Sequence, residues 1–133
     1  MKQKLLLDSR QNIELLVNSF YTRVKKDDFI GPIFNNAENF SWETHIPIMV
    51  DFWETLLLGT ASYKRNPMIK HIQLNQRTPL SAEHFTRWKK LFYETLDELF
   101  EGPQVAEAKK RAEAMSGLMQ YKIRESGSKD FIQ

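Results

Sequence analysis

There is no cysteine among the 133 residues of this chain. Disulfides, thiolate metal ligands, iron–sulfur clusters and a cysteine nucleophile are excluded together, and a reducing compartment fits. Charge of one sign is also missing. Nineteen Lys and Arg face 17 Asp and Glu, a formal net charge of +2. The basic residues are scattered among the acidic ones, so nucleic acid is not an expected partner. No apolar run approaches the ~20 residues of a membrane span, and Leu5-Leu6-Leu7 is too short for a signal-peptide core. No membrane association is expected, and the cytoplasm is the expected location. Nor does any stretch alternate apolar and polar residues convincingly, which removes the pattern of a half-buried strand.

What is present is an ordinary globular balance, 41% hydrophobic and 27% charged, with an aromatic share of 12% made of nine Phe, four Tyr and three Trp. One domain is the natural expectation at this length, and about two-thirds of the unfolded surface can be buried. The periodicity is helical. Ile13, Leu16, Val17, Phe20, Tyr21 and Val24 fall at i, i+3, i+4, i+7, i+8 and i+11, with Asp8 or Ser9 as N-cap. Gly31-Pro32 breaks that pattern, and Ile33-Phe34 follows in a short turn or a single helical turn. A second helix carries His45, Met49, Phe52, Trp53 and Leu56 on one stripe, with Pro47 expected in its first turn and Gly59 as C-cap. Asn66-Pro67 marks a turn before a short helix over 68–74. Thr78-Pro79 has the pattern of an N-cap and first helical residue. Phe85, Trp88, Leu91, Phe92, Leu96, Leu99 and Phe100 then form an amphipathic stripe. Beyond Gly102-Pro103, Ala108, Ala112, Met115 and Met119 line a last helix that is expected to end near Ile123. The expectation is an all-α domain over 1–125 and a flexible tail over 126–133.

Tyr21, His45 and Trp88 interrupt inward-facing stripes that would otherwise be apolar, and His71 sits on the short segment between breakers. A buried Tyr O–H or Trp N–H needs a partner. Such residues on inward faces imply a polar network in the core or a polar ligand.

From about Ile13 to Met119 the chain resembles the truncated haemoglobins, and within them the third group. The resemblance is carried by Phe20-Tyr21, by Ile30-Gly31-Pro32-Ile33-Phe34, by His45 with Phe52-Trp53 and Leu57-Leu58-Gly59, by Pro67-Met68-Ile69-Lys70-His71, and by His84-Phe85-Thr86-Arg87-Trp88 with Leu91-Phe92. The glycine pairs of the other truncated groups are missing. That likeness implies a shortened globin, two helices crossed over two around haem b. It implies His71 as the proximal iron ligand through Nε2, and Tyr21 and Trp88 as distal donors facing the gas. His45 falls at the distal position of the second helix. Met49 would lie against the distal face of the porphyrin, Phe34 would pack on the macrocycle, and Phe52, Trp53 and Phe92 would wall the pocket. Tyr63, Arg65, Lys70 and Arg87 are candidates for the propionates. His84 has no role in the pattern and is expected on the surface. Pro47 departs from the family pattern and bears on the orientation of His45. With no Cys-x-x-Cys-His, the haem is expected to be held non-covalently.

A single imidazole leaves one axial position of a ferrous iron open, which suits O2, CO or NO. Two donors aimed at that position would slow O2 release, which suits sensing or chemistry on a retained gas better than carriage. Two further readings stand beside gas binding. One is nitric oxide dioxygenase or peroxidase-like turnover, for which the reductase must be a separate partner because the chain has no flavin or nicotinamide module. The other is a haem-free helical interaction domain.

Overall fold

The computed structural model describes residues 3–35, 41–60 and 81–128. The elements are β1 (Leu5–Leu6), α1 (Arg10–Lys26), α2 (Gly31–Asn35), α3 (Trp42–Leu58), α4 (Ala82–Leu99), β2 (Phe100–Glu101) and α5 (Pro103–Ser128). Helix α1 packs on both α3 and α4, and α5 packs on α4 and α3. The stripe expected on α1 is the one it buries: Ile13, Leu16, Val17, Phe20, Tyr21 and Val24 all lie in the core. They meet Met49, Phe52 and Trp53 of α3, Phe92 and Leu96 of α4, and Ala108 and Ala112 of α5 in one cluster. Burying a side chain the size of Phe20 or Phe92 contributes roughly 1.5–3 kcal/mol.

The helix ends follow local chemistry. Ser9 caps α1 by accepting from the Asn12 amide. Gly59 closes α3 in the left-handed region at φ 74°, a conformation that costs glycine no Cβ clash. The carbonyl of Leu57 is held by Gln104 Nε2 at 2.6 Å, which ties the end of α3 to α5.

Four features differ from the sequence expectation. Helix α4 begins at Ala82, so its N-cap is Ser81, whose hydroxyl accepts from the His84 amide; Thr78-Pro79 lies outside the described residues. Ser81 forms a capping box with His84. Pro47 is not in a first turn. Helix α3 begins at Trp42, so Pro47 falls in its interior, where the ring displaces the bond that an amide would make to the Glu43 carbonyl. Helix α5 runs on to Ser128, past Ile123, because its last turns carry no apolar stripe to mark them. Finally, Leu5–Leu6 pairs in parallel with Phe100–Glu101, a ladder too short to leave an alternation in the sequence.

The corner between α1 and α2 depends on a missing side chain. A Cβ at Gly31 would stand 2.8 Å from the Val24 carbonyl oxygen and 3.0 Å from that of Lys25. A Cβ at Gly117, inside α5, would meet nothing within 4 Å. Gly31→Ala is therefore expected to lower stability by roughly 1–3 kcal/mol. Gly117→Ala should leave it unchanged or raise it by roughly 0.5–1 kcal/mol, since alanine is the better helix former. Denaturant unfolding of the two variants checks the contrast, and equal effects would contradict it.

Candidate functional site

Tyr21 comes from the inner face of α1 and is 4% exposed. His45, half-buried near the start of α3, approaches it from across the helix pair. Tyr21 Oη and His45 Nε2 are 3.1 Å apart, and the two rings meet edge to face with centroids 5.1 Å apart. Burial pushes the Tyr21 phenol well above its ordinary pKa, so the hydroxyl keeps its proton at neutral pH. The contact with His45 then admits two arrangements. If Nε2 is bare, it accepts from the Tyr21 O–H. If Nε2 carries hydrogen, it donates to the Tyr21 oxygen, and the phenolic proton is free to meet a third group.

Aromatic rings extend from this pair in two directions. Phe20 touches Tyr21 at 4.7 Å, and it meets Trp88 at 5.6 Å and Phe92 at 5.1 Å, both edge-on. Phe92 in turn stacks on Trp88 at 5.7 Å and on Trp53 at 4.9 Å, and Trp53 leads on to Phe52. In the other direction Trp42 leans on Tyr21 at 5.2 Å and on Phe34 at 5.5 Å. Met49 is buried one turn beyond His45. The structure thus joins eight of the expected site residues, Tyr21, Phe34, His45, Met49, Phe52, Trp53, Trp88 and Phe92, around Phe20 and Trp42. Trp42 was missed by the sequence reading. Its signal was its place three residues before His45, which puts both on one helical face.

The remaining expected residues, His71, Tyr63, Arg65 and Lys70, lie outside the described residues. Arg87, a propionate candidate, is engaged elsewhere: its Nη1 donates to Asp27 Oδ1 at 2.7 Å, and its guanidinium lies over the Phe29 ring. His84 accepts the Ser81 amide on Nδ1 at 2.9 Å and stacks on Phe29 at 4.6 Å. It is a half-buried structural residue rather than a free surface one. These contacts clamp the start of α4 to the corner after α1. Among the described residues, no helix is long and apolar enough to cross a membrane.

Asp27 is the anionic centre of the clamp. Burial alone would raise its carboxyl, but the amides of Ile30 and Phe29 and the guanidinium of Arg87 outweigh burial and hold it below the ordinary carboxylate value. Because the folded value is depressed, its stabilisation is present above the ordinary carboxyl pKa of about 3.9 and is lost as pH falls through the folded value. Asp27→Asn keeps an oxygen for the two amides and loses the charge. It should be less stable than the parent at pH 7, with the difference shrinking near pH 3. Denaturation at the two pH values checks this, and a constant difference would contradict it.

No family model matches the chain. A group 3 truncated hemoglobin of Campylobacter jejuni is 38% identical to it over 95 residues, which span 69% of this chain and 72% of that protein. The crystal structure of the group III truncated hemoglobin from Campylobacter jejuni superposes with a TM-score of 0.80 at 32% identity, covering 91% of this chain and 95% of that one.

Proposed function

The chain belongs to the group III truncated haemoglobins and has their all-α globin fold, and from that premise we propose that it binds haem b non-covalently and holds a diatomic gas beside Tyr21. The observation that supports this most is the buried Tyr21 phenol in hydrogen-bond contact with the half-buried His45, set among aromatic rings. A flat, largely apolar macrocycle suits walls made of Phe34, Met49, Phe52, Trp53 and Phe92, and a small polarisable ligand suits a phenol that stays protonated. His71 is the candidate axial ligand. When bound, haem would supply an iron able to take O2, CO or NO.

The chain's own residues would decide how long the gas stays. Tyr21 can donate outward only while it accepts from His45, so His45 must present hydrogen on Nε2 during retention. Trp88 offers an indole N–H, and its ring orientation is set by Phe20 and Phe92. Each net hydrogen bond is worth roughly 0.5–1.5 kcal/mol, and 1.4 kcal/mol is about tenfold in an equilibrium. Two donors together would slow O2 release by roughly one to two orders of magnitude. CO, which polarises less, would gain less.

Absorption spectra of the purified chain with haem supplied test the cofactor. A Soret band that shifts when CO is added to the ferrous protein is expected, and its loss in His71→Ala would support that axial ligand. A parent protein that takes up no haem would defeat the reading. For the distal side, Tyr21→Phe and Trp88→Phe should each speed O2 release several-fold, and unchanged rates in both would show that neither donor reaches the gas.

The same pair favours a second reading. A phenol and an imidazole in hydrogen-bond contact can pass a proton toward a retained ligand. That suits nitric oxide dioxygenation or peroxidase-like chemistry fed by a separate reductase. Catalytic turnover in the presence of a reductase is the expected sign of it, and a single stoichiometric reaction would exclude it.

A further inference from the structure

Trp42 stands at the first position of α3 and is half-buried. Its ring centroid lies 5.2 Å from Tyr21 of α1, 5.5 Å from Phe34 of α2 and 6.1 Å from His45 of its own helix. The ammonium of Lys25, in the last turn of α1, sits 5.3 Å from the indole centroid. One side chain therefore touches three elements and both members of the polar pair. The position of a phenolic oxygen, and so the groups its hydroxyl can reach, is set by two side-chain torsions. Phe20 and Trp42 both bear on the Tyr21 ring, so the ring cannot swing toward α3 without displacing the indole. Lys25 adds a cation–π contact to the same indole.

We propose that Trp42 is a positioning residue that holds the Tyr21 phenol against His45, and thereby sets both the residence time of O2 and its preference over CO. This rests on the reading of Tyr21 as a donor to the gas. Trp42 acts through Tyr21 and touches no reacting atom.

Stopped-flow release of O2 and of CO from the haem-loaded full chain tests it, using Trp42→Leu, Trp42→Phe, Tyr21→Phe and the Trp42→Leu/Tyr21→Phe double variant. Trp42→Leu should speed O2 release roughly three- to tenfold, the span of one lost hydrogen bond, with a smaller change for CO. Trp42→Phe, which keeps a flat face, should restore most of the retention. The double variant should release O2 no faster than Tyr21→Phe alone, because a residue acting through a partner has no effect once the partner's hydroxyl is gone. The C–O stretching frequency of the carbonyl complex should shift alike in Trp42→Leu and Tyr21→Phe, which a general loss of stability would not produce. If Trp42→Leu does not fold, Trp42→Met gives the same contrast. Unchanged O2 release in the Trp42 variant, or multiplying effects in the double variant, would overturn the proposal. If Tyr21→Phe speeds release and Trp42→Leu does not, only the role of Trp42 falls. If Tyr21→Phe leaves release unchanged, the donor reading of Tyr21 falls, and this proposal falls with it.

Discussion

A buried hydroxyl must have a partner, and the partner of Tyr21 comes from another helix. Burying a hydroxyl without a compensating hydrogen bond costs on the order of 1–3 kcal/mol in proteins. The 3.1 Å contact between Tyr21 and His45 offsets that cost. It also constrains the fold, since α1 and α3 must cross where positions 21 and 45 face each other. The ring contacts of Phe20, Trp42 and Phe92 then follow from that crossing. Polar satisfaction and apolar packing therefore select the same arrangement, and the polar pair is left inside a wall of rings.

The corner after α1 serves that arrangement from outside. Gly31 lets α2 approach the last carbonyls of α1. Asp27 gathers two amides and the Arg87 guanidinium. Phe29 meets both the Arg87 guanidinium and the stacked ring of His84. Arg87 immediately precedes Trp88, so the clamp holds the turn of α4 from which the indole of Trp88 projects. A charge that looks like a surface feature in the sequence thus helps to anchor the helix start that carries a candidate ligand donor.

Much of this was legible in the sequence wherever a period carries the information. The apolar stripe of α1 is buried residue for residue, and the αL cap at Gly59 and the break at Gly102-Pro103 stand where their chemistry places them. Tyr21 and His45 were identified as inward polar residues, but their mutual hydrogen bond was not, because a period gives faces and no pairings. Ser81 was missed as a cap because Thr78-Pro79 offered a stronger-looking signal a turn earlier. Pro47 was placed at a helix start because proline is cheap there, yet the stripe of α3 extends back to Trp42 and tertiary packing overrode the local preference. The pairing of Arg87 with Asp27 could not be read from sequence, since the two are 60 residues apart along the chain; nor could the stacking of His84 on Phe29, although its cap partner Ser81 is local. The stretch that carries His71 lies outside the described residues, so the axial ligand rests on the family resemblance alone.

On the proposed function the Tyr21 proton is directed at the gas and not at His45, which requires hydrogen on the imidazole Nε2. Nitrogen-15 NMR of the His45 ring in the carbonyl complex measures that state directly. The expected result is a protonated Nε2 that donates to the Tyr21 oxygen. A bare Nε2 accepting the Tyr21 proton would contradict it, since the phenol would then have no hydrogen left for the ligand.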